Sequence, residues 1–389
     1  MRTSPQRFLL AGAAAAVLSV ATAAAAGAVP SPGSVGHVRV ALANDGTGIK
    51  GQYIVTLRSG ASPVAKAAKY RWLHRFGNSI NGFAARLSTT DLHRLAADRD
   101  VVSIEQDKVY RATTTQSSPT YGLDRIDQRS LPLNKKYTYT STGSGVNAYV
   151  IDTGIDTGHS QFGGRADVVY DGVGDGMNGQ DCNGHGTHVA GIIGSKTYGV
   201  AKSVKLHAVR VLDCTGSGTL STVIAGVNWV AAHKAAKSVA NMSLGGAKST
   251  SLNNAVTALS KSGVFLTVAA GNEGQNACNT SPASAGWVEA TGATNSKDTR
   301  MSWSNYGGCV DIYAPGSNVW STYPDGGTAM LSGTSMASPF VAGVAALYKG
   351  AKGEASFPTV QSWLHTNAGA KVKSLPSGSH NRLLYKSTL

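Results

Sequence analysis

Charge is scarce in this sequence. Of 389 residues only 14% are Asp, Glu, Lys or Arg, against 42% apolar, so a sizeable core is within reach. The length exceeds one ordinary domain and suits one large domain plus processing segments. Cysteine is scarce too. Cys182, Cys214, Cys278 and Cys309 contain no Cys-x-x-Cys pair, which argues against a four-cysteine zinc site. The net charge is +14, yet no basic run with interleaved aromatics exists. Residues 1–113 carry 14 basic and 6 acidic residues, and residues 114–389 carry 21 and 15. The larger part is therefore only mildly basic, and no nucleic-acid footprint is expected. Beyond one N-terminal stretch, no apolar run is long enough to span a bilayer. No internal repeat is present. Glycine, by contrast, is abundant at 47 residues, which suits tight turns and close backbone approaches.

The N-terminus reads as an export signal. Arg2 and Arg7 precede FLLAGAAAAVLSVATAAAA, and Ala-x-Ala cleavage options lie near residues 21–28. The run is Ala-rich, broken by Gly12, Ser19 and Thr22, and followed by a Pro/Gly-rich stretch, which disfavours a membrane anchor. A secreted, extracellular protein without a membrane partner is expected. Four cysteines in an exported chain read as two disulfides, with three connectivities open.

Residues 1–28 are thus the signal and residues 29–48 a linker. Within residues 49–113 a small β-α-β-α-β module is predicted. Its strands are QYIVTLRSG, GFAARLS and VVSIEQDKVYR, and its helices VAKAAKYRWLHRFG and TTDLHRLAADRD. ATTTQSSP then reads as a polar linker open to cleavage. In residues 114–389 the pattern changes. Apolar strands GVNAYVID, VKLHAVRVLD, VANMSLGG, VFLTVAAGN, WVEATGATN and CVDIYAPG alternate with helices. These are HGTHVAGIIGS, LSTVIAGVNWVAAHKAAK, SLNNAVTALSKSG and TSMASPFVAGVAALYKG. This predicts an α/β fold, a mostly parallel central sheet flanked by helices, with ligand sites at the carboxyl ends of its strands.

VIDTGIDTGH, residues 150–159, contains Asp-Thr-Gly twice. Two carboxylates sharing a proton must face each other at ~3 Å. In an extended chain Asp152 and Asp156 would lie over ~13 Å apart, and no third Asp-Thr-Gly exists. Asp152 alone, at a strand end, is the better reading, with Asp156 a solvated turn residue. NGHGTHVAG puts His185 at a helix start, and GTSMASP puts Ser335 at another. A Ser nucleophile needs a base, and the base an orienter; Asp152, His185 and Ser335 supply one of each. Asn272 in AAGNEG follows a strand, where its amide and the Ser335 N–H could hold an oxyanion.

VIDTGI, NGHGTHVAG, SLGG, AAGN and GTSMASP resemble the subtilisin-like serine proteases, in that family's order. GLDRID, VLDCTGSG and SNYGGCVDIYAPG look like its proteinase K branch, and within it the aqualysin-type secreted enzymes. The resemblance covers residues 114–389 as the peptidase domain. Residues 49–113 resemble, more weakly, the family's ferredoxin-like inhibitor propeptide, an intramolecular chaperone. The resemblance implies an autoprocessed, monomeric endopeptidase, cleaved within Arg111–Thr114, the tail after Val102 lying in the cleft. It implies Cys182–Cys214 and Cys278–Cys309 pairings. It assigns two edges that hold an extended protein or peptide substrate, Gly216, Ser217 and Gly218 on one side and Ser243, Leu244, Gly245 and Gly246 on the other. Gly245, Gly246, Ala269 and Gly271 leave room for the P1 side chain. With no acidic residue noted in those segments, apolar or aromatic P1 residues are expected.

Calcium is the cofactor the resemblance implies. One site matches Asp311 with the carbonyls of Gly286 and Val288. A second matches Asp124, Asp127 and Gln128, but Asn134 and Lys136 stand at its remaining positions, and an ammonium cannot coordinate calcium. His188 is read as structural, because His-Gly-Thr-His lacks the spacing of a zinc hydrolase motif. His159, His207 and His233 are read as ordinary histidines, Asp181 and Asn183 as caps. Asn241 and Asn279 are discounted as glycan acceptors.

Overall fold

The structure, a computed structural model, describes residues 38–43, 48–108 and 114–389. The expected export signal, and every expected autocleavage position except Thr114, lie outside the described residues. The chain divides into two compact units between residues 111 and 112.

The first unit is a five-stranded sheet with two helices. In sheet order its strands are Val40–Ala41, Val101–Lys108, Gly48–Leu57, Gly82–Arg86 and Arg71–Phe76, antiparallel except for the first pair. The expected single helix over VAKAAKYRWLHRFG is two elements. Ser62 caps a helix over Pro63–Ala67, and Arg71–Phe76 is an edge strand paired with Gly82–Arg86. Pairing to an open sheet edge overrides local helix preference there. The helix over Thr89–Ala96 opens with Ser88 and Asp91 capping each other reciprocally. The order from Gly48 onward is therefore β-α-β-β-α-β, the ferredoxin-like arrangement. The stretch read as linker, residues 29–48, contains a strand, Val40–Ala41, beside Ile104–Glu105. Val55, Leu57, Phe83, Ala85 and Ile104 of the strands, with Leu95 of the second helix, form the core; Val55 and Leu57, and Phe83 and Ala85, are alternate positions on their strands.

The second unit is built on seven strands. They are β1 (Asn147–Asp152), β2 (Ala166–Asp171), β3 (Lys205–Arg210), β4 (Ser238–Met242), β5 (Phe265–Ala269), β6 (Glu289–Thr294) and β7 (Ile312–Pro315). Their helices are α1 (His185–Gly194), α2 (Leu220–His233), α3 (Thr250–Lys261), α4 (Thr334–Lys352) and α5 (Phe357–Asn367). The sheet order is β7-β6-β5-β4-β1-β3-β2, every neighbour parallel. Successive side chains of β1 enter different cores. Ala148 and Val150 pack with Val189 and Ile193 of α1 and Phe340 and Val344 of α4. Tyr149 and Ile151 pack with Val223 and Val227 of α2 and Val256 and Leu259 of α3. Both faces are covered, which is why these strands read as continuous apolar runs.

The sequence reading misses a helix over Tyr121–Ile126, strand β2, helix α5, and an antiparallel hairpin of Val319–Tyr323 with Gly327–Leu331, among other short elements. ATTTQSSP is also not a linker throughout. Thr114–Ser117 pairs antiparallel with Lys136–Tyr139, and the Thr115 and Thr138 hydroxyls meet at 3.2 Å.

Candidate active site

The chain reverses direction across the sheet at β1. From β1 it passes to the edge strand β2, steps back to β3 beside β1, and then crosses to build β4 to β7 outward on the other side. A crevice opens at the carboxyl ends of strands at such a switch point. Asp152 is the last residue of β1, and Ser243 and Gly271 lie just beyond β4 and β5.

Asp152 is fully buried. Its Oδ1 accepts the Thr153 N–H at 2.8 Å and faces His185 Nδ1 at 2.7 Å. Among the described residues its Oδ2 has no hydrogen-bond partner, so the imidazole and the Thr153 N–H are what compensate this buried carboxylate. Burial works against a charged His185, but the Asp152 carboxylate outweighs it, and the imidazole's pKa is raised. His185 opens α1, held by a cap whose reach the sequence did not reveal. Asp181 Oδ1 accepts the Asn183 and Gly184 N–H groups and the Thr153 hydroxyl, at 3.0, 2.8 and 2.9 Å. Its Oδ2 accepts the Thr187 N–H and hydroxyl at 2.8 and 2.6 Å. One carboxylate thus ties the end of β1 to the start of α1. Gly186 permits that approach, since a Cβ there would overlap the Gly154 carbonyl. His188, one turn on, is buried. Its Nε2 reaches the Ala329 carbonyl at 3.1 Å, and burial pulls its pKa down to about 4, as a neutral packing residue requires.

Ser335 is the second residue of α4, where a helix leaves its backbone N–H groups without intrahelical acceptors. Ser243 brackets it. The Ser335 hydroxyl donates to the Ser243 carbonyl at 3.1 Å, and the Ser243 hydroxyl donates to the Ser335 carbonyl at 2.7 Å. The hydroxyl of the nucleophile candidate is thus parked on the Ser243 carbonyl. Beneath it, Ser338 donates to Asn241 Oδ1 at 2.7 Å, and Asn241 Nδ2 donates to Ser243 Oγ at 2.9 Å. Asn241 is fully buried, which agrees with discounting it as a glycan site.

Asn272 is oriented by Thr334, whose N–H and hydroxyl both donate to Asn272 Oδ1, at 2.8 and 3.0 Å. Gly271 before it has φ +103°, and a Cβ there would overlap the Asn305 amide. Asn272, Thr334 and Ser335 line a cavity of about 530 Å³. Gly245, Gly246, Ala269 and Gly271, the residues assigned to P1, line it as well, with Ser243 and Leu244 of the assigned edge. Glu273 lines it too, against the expectation of no acidic group there. It is exposed and has no ion pair among the described residues; its Oε2 accepts from Asn305 Nδ2 at 2.7 Å. AAGNEG contains this residue, but a strand end gives no sign of which way the next residues turn. Gly216, Ser217 and Gly218 form an exposed loop instead. Asp213 shapes it by accepting from the N–H groups of Thr215 and Ser217 at 2.8 and 3.1 Å.

Two disulfides are present, Cys182–Cys214 and Cys278–Cys309. The first joins the segment before His185 to the segment before Gly216.

The two calcium expectations fare differently. Asp311 is pushed up to about 7 by burial and then by the Glu289 carboxylate, itself fully buried. Its Oδ2 accepts the Ala290 N–H at 2.9 Å, and the Gly286 carbonyl accepts the Thr257 hydroxyl at 2.8 Å. A half-buried carboxylate crowded by a second carboxylate has the charge that a hard cation would offset. Asp124, Asp127 and Gln128 do not fit one. Asp127 Oδ1 is paired with Lys386 Nζ at 3.0 Å. Gln128 turns its amide N–H toward Asp124 rather than offering an oxygen.

Residues 143–383 match the profile of the Subtilase family (peptidase S8). The chain belongs to the subtilase family. Residues 55–113 of this subtilase match the peptidase inhibitor I9 profile. It is 49% identical to "Alkaline serine exoprotease A" of Vibrio alginolyticus, over 80% of this chain and 60% of that one. To the "Extracellular serine proteinase" of Thermus sp. (strain Rt41A) it is 53% identical, over 69% of this chain and 66% of that one. It therefore spans less than two thirds of the length of either relative. A solved structure, that of a cold adapted subtilisin-like serine proteinase, superimposes with a TM-score of 0.68 at 51% identity, covering 69% of this chain and 99% of the other.

Proposed function

We propose that this subtilase is a secreted serine endopeptidase, made as a precursor that processes itself. The observation that supports the reading is the Asp152–His185 pair at the end of β1, together with Ser335 and the oriented Asn272 amide on the wall of one cavity. In the reaction, Ser335 Oγ attacks the peptide carbonyl carbon as its proton passes to His185 Nε2. Asp152 steadies the imidazolium. Asn272 Nδ2 and the Ser335 N–H donate to the carbonyl oxygen as it becomes negative. The tetrahedral intermediate collapses, His185 gives its proton to the leaving amine, and water repeats the sequence on the acyl-enzyme.

The relatives' names, an exoprotease and an extracellular proteinase, support secretion. The I9 match supports the first unit as intramolecular chaperone and inhibitor, released by cleavage at residues 111–114. The domain limits read from the sequence stand as part of the proposal. The small-residue walls around Gly245, Gly246 and Ala269 favour apolar and aromatic P1 side chains. The substrate backbone adds as a strand between the Gly216–Gly218 and Ser243–Gly246 edges. A calcium ion held by Asp311, Gly286 and Val288 is structural and takes no part in the chemistry.

The test is intact-mass spectrometry of the secreted protein with and without a fluorophosphonate serine probe. One adduct, mapped to Ser335, on a species beginning near residue 114 is expected. A mature-length protein that takes no adduct would overturn the reading and leave a binding module on the same scaffold.

A further inference from the structure

Lys386 is 2% exposed. Its Nζ donates to the Leu389 backbone oxygen at 2.9 Å and the Ser387 carbonyl at 3.2 Å, and lies 3.0 Å from Asp127 Oδ1. An ammonium has three protons, and each has an oxygen here. The Tyr137 ring faces the same charge at 5.7 Å. The neighbouring carboxylate oxygens are met by N–H donors. Asp127 Oδ2 accepts from Thr138 N–H at 2.8 Å. Asp124 Oδ1 accepts from the Gln128 amide and from Asn134 N–H at 3.2 Å, and its Oδ2 from Lys135 N–H at 2.7 Å. Asn134 Oδ1, a further candidate ligand, accepts the Lys136 N–H at 2.9 Å. A calcium ion needs six to eight oxygens facing inward. At this corner the oxygens face N–H groups, and the positive charge opposite Asp127 belongs to the chain itself.

We propose that Lys386 is a tethered cation standing in for calcium at Asp124, Asp127 and Gln128. It makes this corner independent of free calcium and pins residues 385–389 to the helix over Tyr121–Ile126. Two neighbouring bonds finish the seam: Lys386 N–H to the Ile126 carbonyl at 2.9 Å, and the Thr140 hydroxyl to the Thr388 carbonyl at 2.9 Å. A bound ion leaves when a chelator lowers its free concentration; a covalently attached ammonium does not. The inference does not depend on the catalytic reading.

The experiment counts calcium on the mature protein, inactivated with a sulfonyl fluoride so that autolysis cannot follow metal removal. Wild type and Asp127→Asn are dialysed against calcium and analysed by atomic emission, with Asp311→Asn alongside to account for that ion separately. Equal calcium content in wild type and Asp127→Asn is expected; loss of an equivalent in Asp127→Asn overturns the proposal. Thermal unfolding in chelator supplies the second arm. Lys386→Met is expected to unfold several degrees lower, or to fail to fold, because it strands the Asp127 charge. The double variant Lys386→Met/Asp127→Asn is expected to recover much of that loss. A single variant as stable as wild type, or a double variant no better than the single, would show that the charge is not what holds this corner.

Discussion

Thr334 holds Asn272 by its oxygen. The Thr334 N–H can only donate, so the Asn272 atom 2.8 Å away must be Oδ1, and Nδ2 is left as the donor facing the cavity. Orientation is thus set before substrate arrives. Asn272→Ala is expected to lower kcat on a peptide anilide by about 10²–10³, with KM nearly unchanged, because the lost bond is made to the developing oxyanion. Thr334→Val, which keeps the N–H and removes the hydroxyl, should lower kcat in the same sense by less. Steady-state kinetics of both variants checks this; a loss confined to KM would contradict it.

The pH profile follows from the Asp152–His185 pair. Burial alone would depress the imidazole, but Asp152 raises it above its ordinary value. Catalysis needs the neutral ring, so kcat/KM should fall on the acid side with a midpoint above the usual ~6.5. The linked stability has the opposite sense. It is fully present below the unfolded-state pKa and is lost as pH rises through the raised folded value. Asp152→Asn should move the acid limb down and cut kcat by about 10⁴. An unmoved limb in Asp152→Asn would refute the assignment.

Glu273 on the cavity wall should broaden P1 acceptance. A Lys side chain can lay its methylenes along Ala269 and Gly246 while its ammonium reaches the carboxylate. Glu273→Gln is expected to lower kcat/KM for a P1-Lys anilide a few-fold relative to P1-Phe. That matches an exposed ion pair worth at most about 1 kcal/mol. The difference should shrink as salt is added. Equal effects on both substrates would exclude the charge as a specificity element.

The Cys182–Cys214 bridge joins residues 32 positions apart and carries the segments before His185 and before Gly216. Asn183 Nδ2 reinforces it by donating to the Cys214 carbonyl at 3.0 Å. Replacing both cysteines with serine should destabilise the inhibited enzyme by about 3 kcal/mol, a fall of roughly 6–12 °C in Tm. Because the substrate edge loses its anchor, KM should also rise. Calorimetry and peptide kinetics on one preparation test the two effects.

Self-processing gives the last prediction. Ser335→Ala should be exported but keep its first unit, visible as an unprocessed band and mass. Fully processed Ser335→Ala from a protease-free host would refute it.

Much of this was legible in the chain. Doubly buried strands must be apolar along their whole length, so β1, β3, β4 and β5 announced themselves, and helices α1 to α4 stood out as the segments alternating with them. Asp152, His185, Asn272 and Ser335 were legible because each sits where an element ends or begins, marked by glycine. Edge elements were not. Arg71–Phe76, Thr114–Ser117 and β2 owe their strand form to a neighbour's free backbone groups, which no local pattern encodes.

Residue identity alone thus determined which chemistries the chain carries: a hydroxyl, an imidazole, a carboxylate, an amide and four thiols. Tertiary structure decided what each faces. It parked Ser335 on Ser243, turned Asn272 by Thr334, set Glu273 on the cavity wall, and gave Asp127 the Lys386 ammonium from 259 residues downstream. Hydrogen bonds and charges act over a few ångströms, and only folding brings residues so distant in sequence within that range.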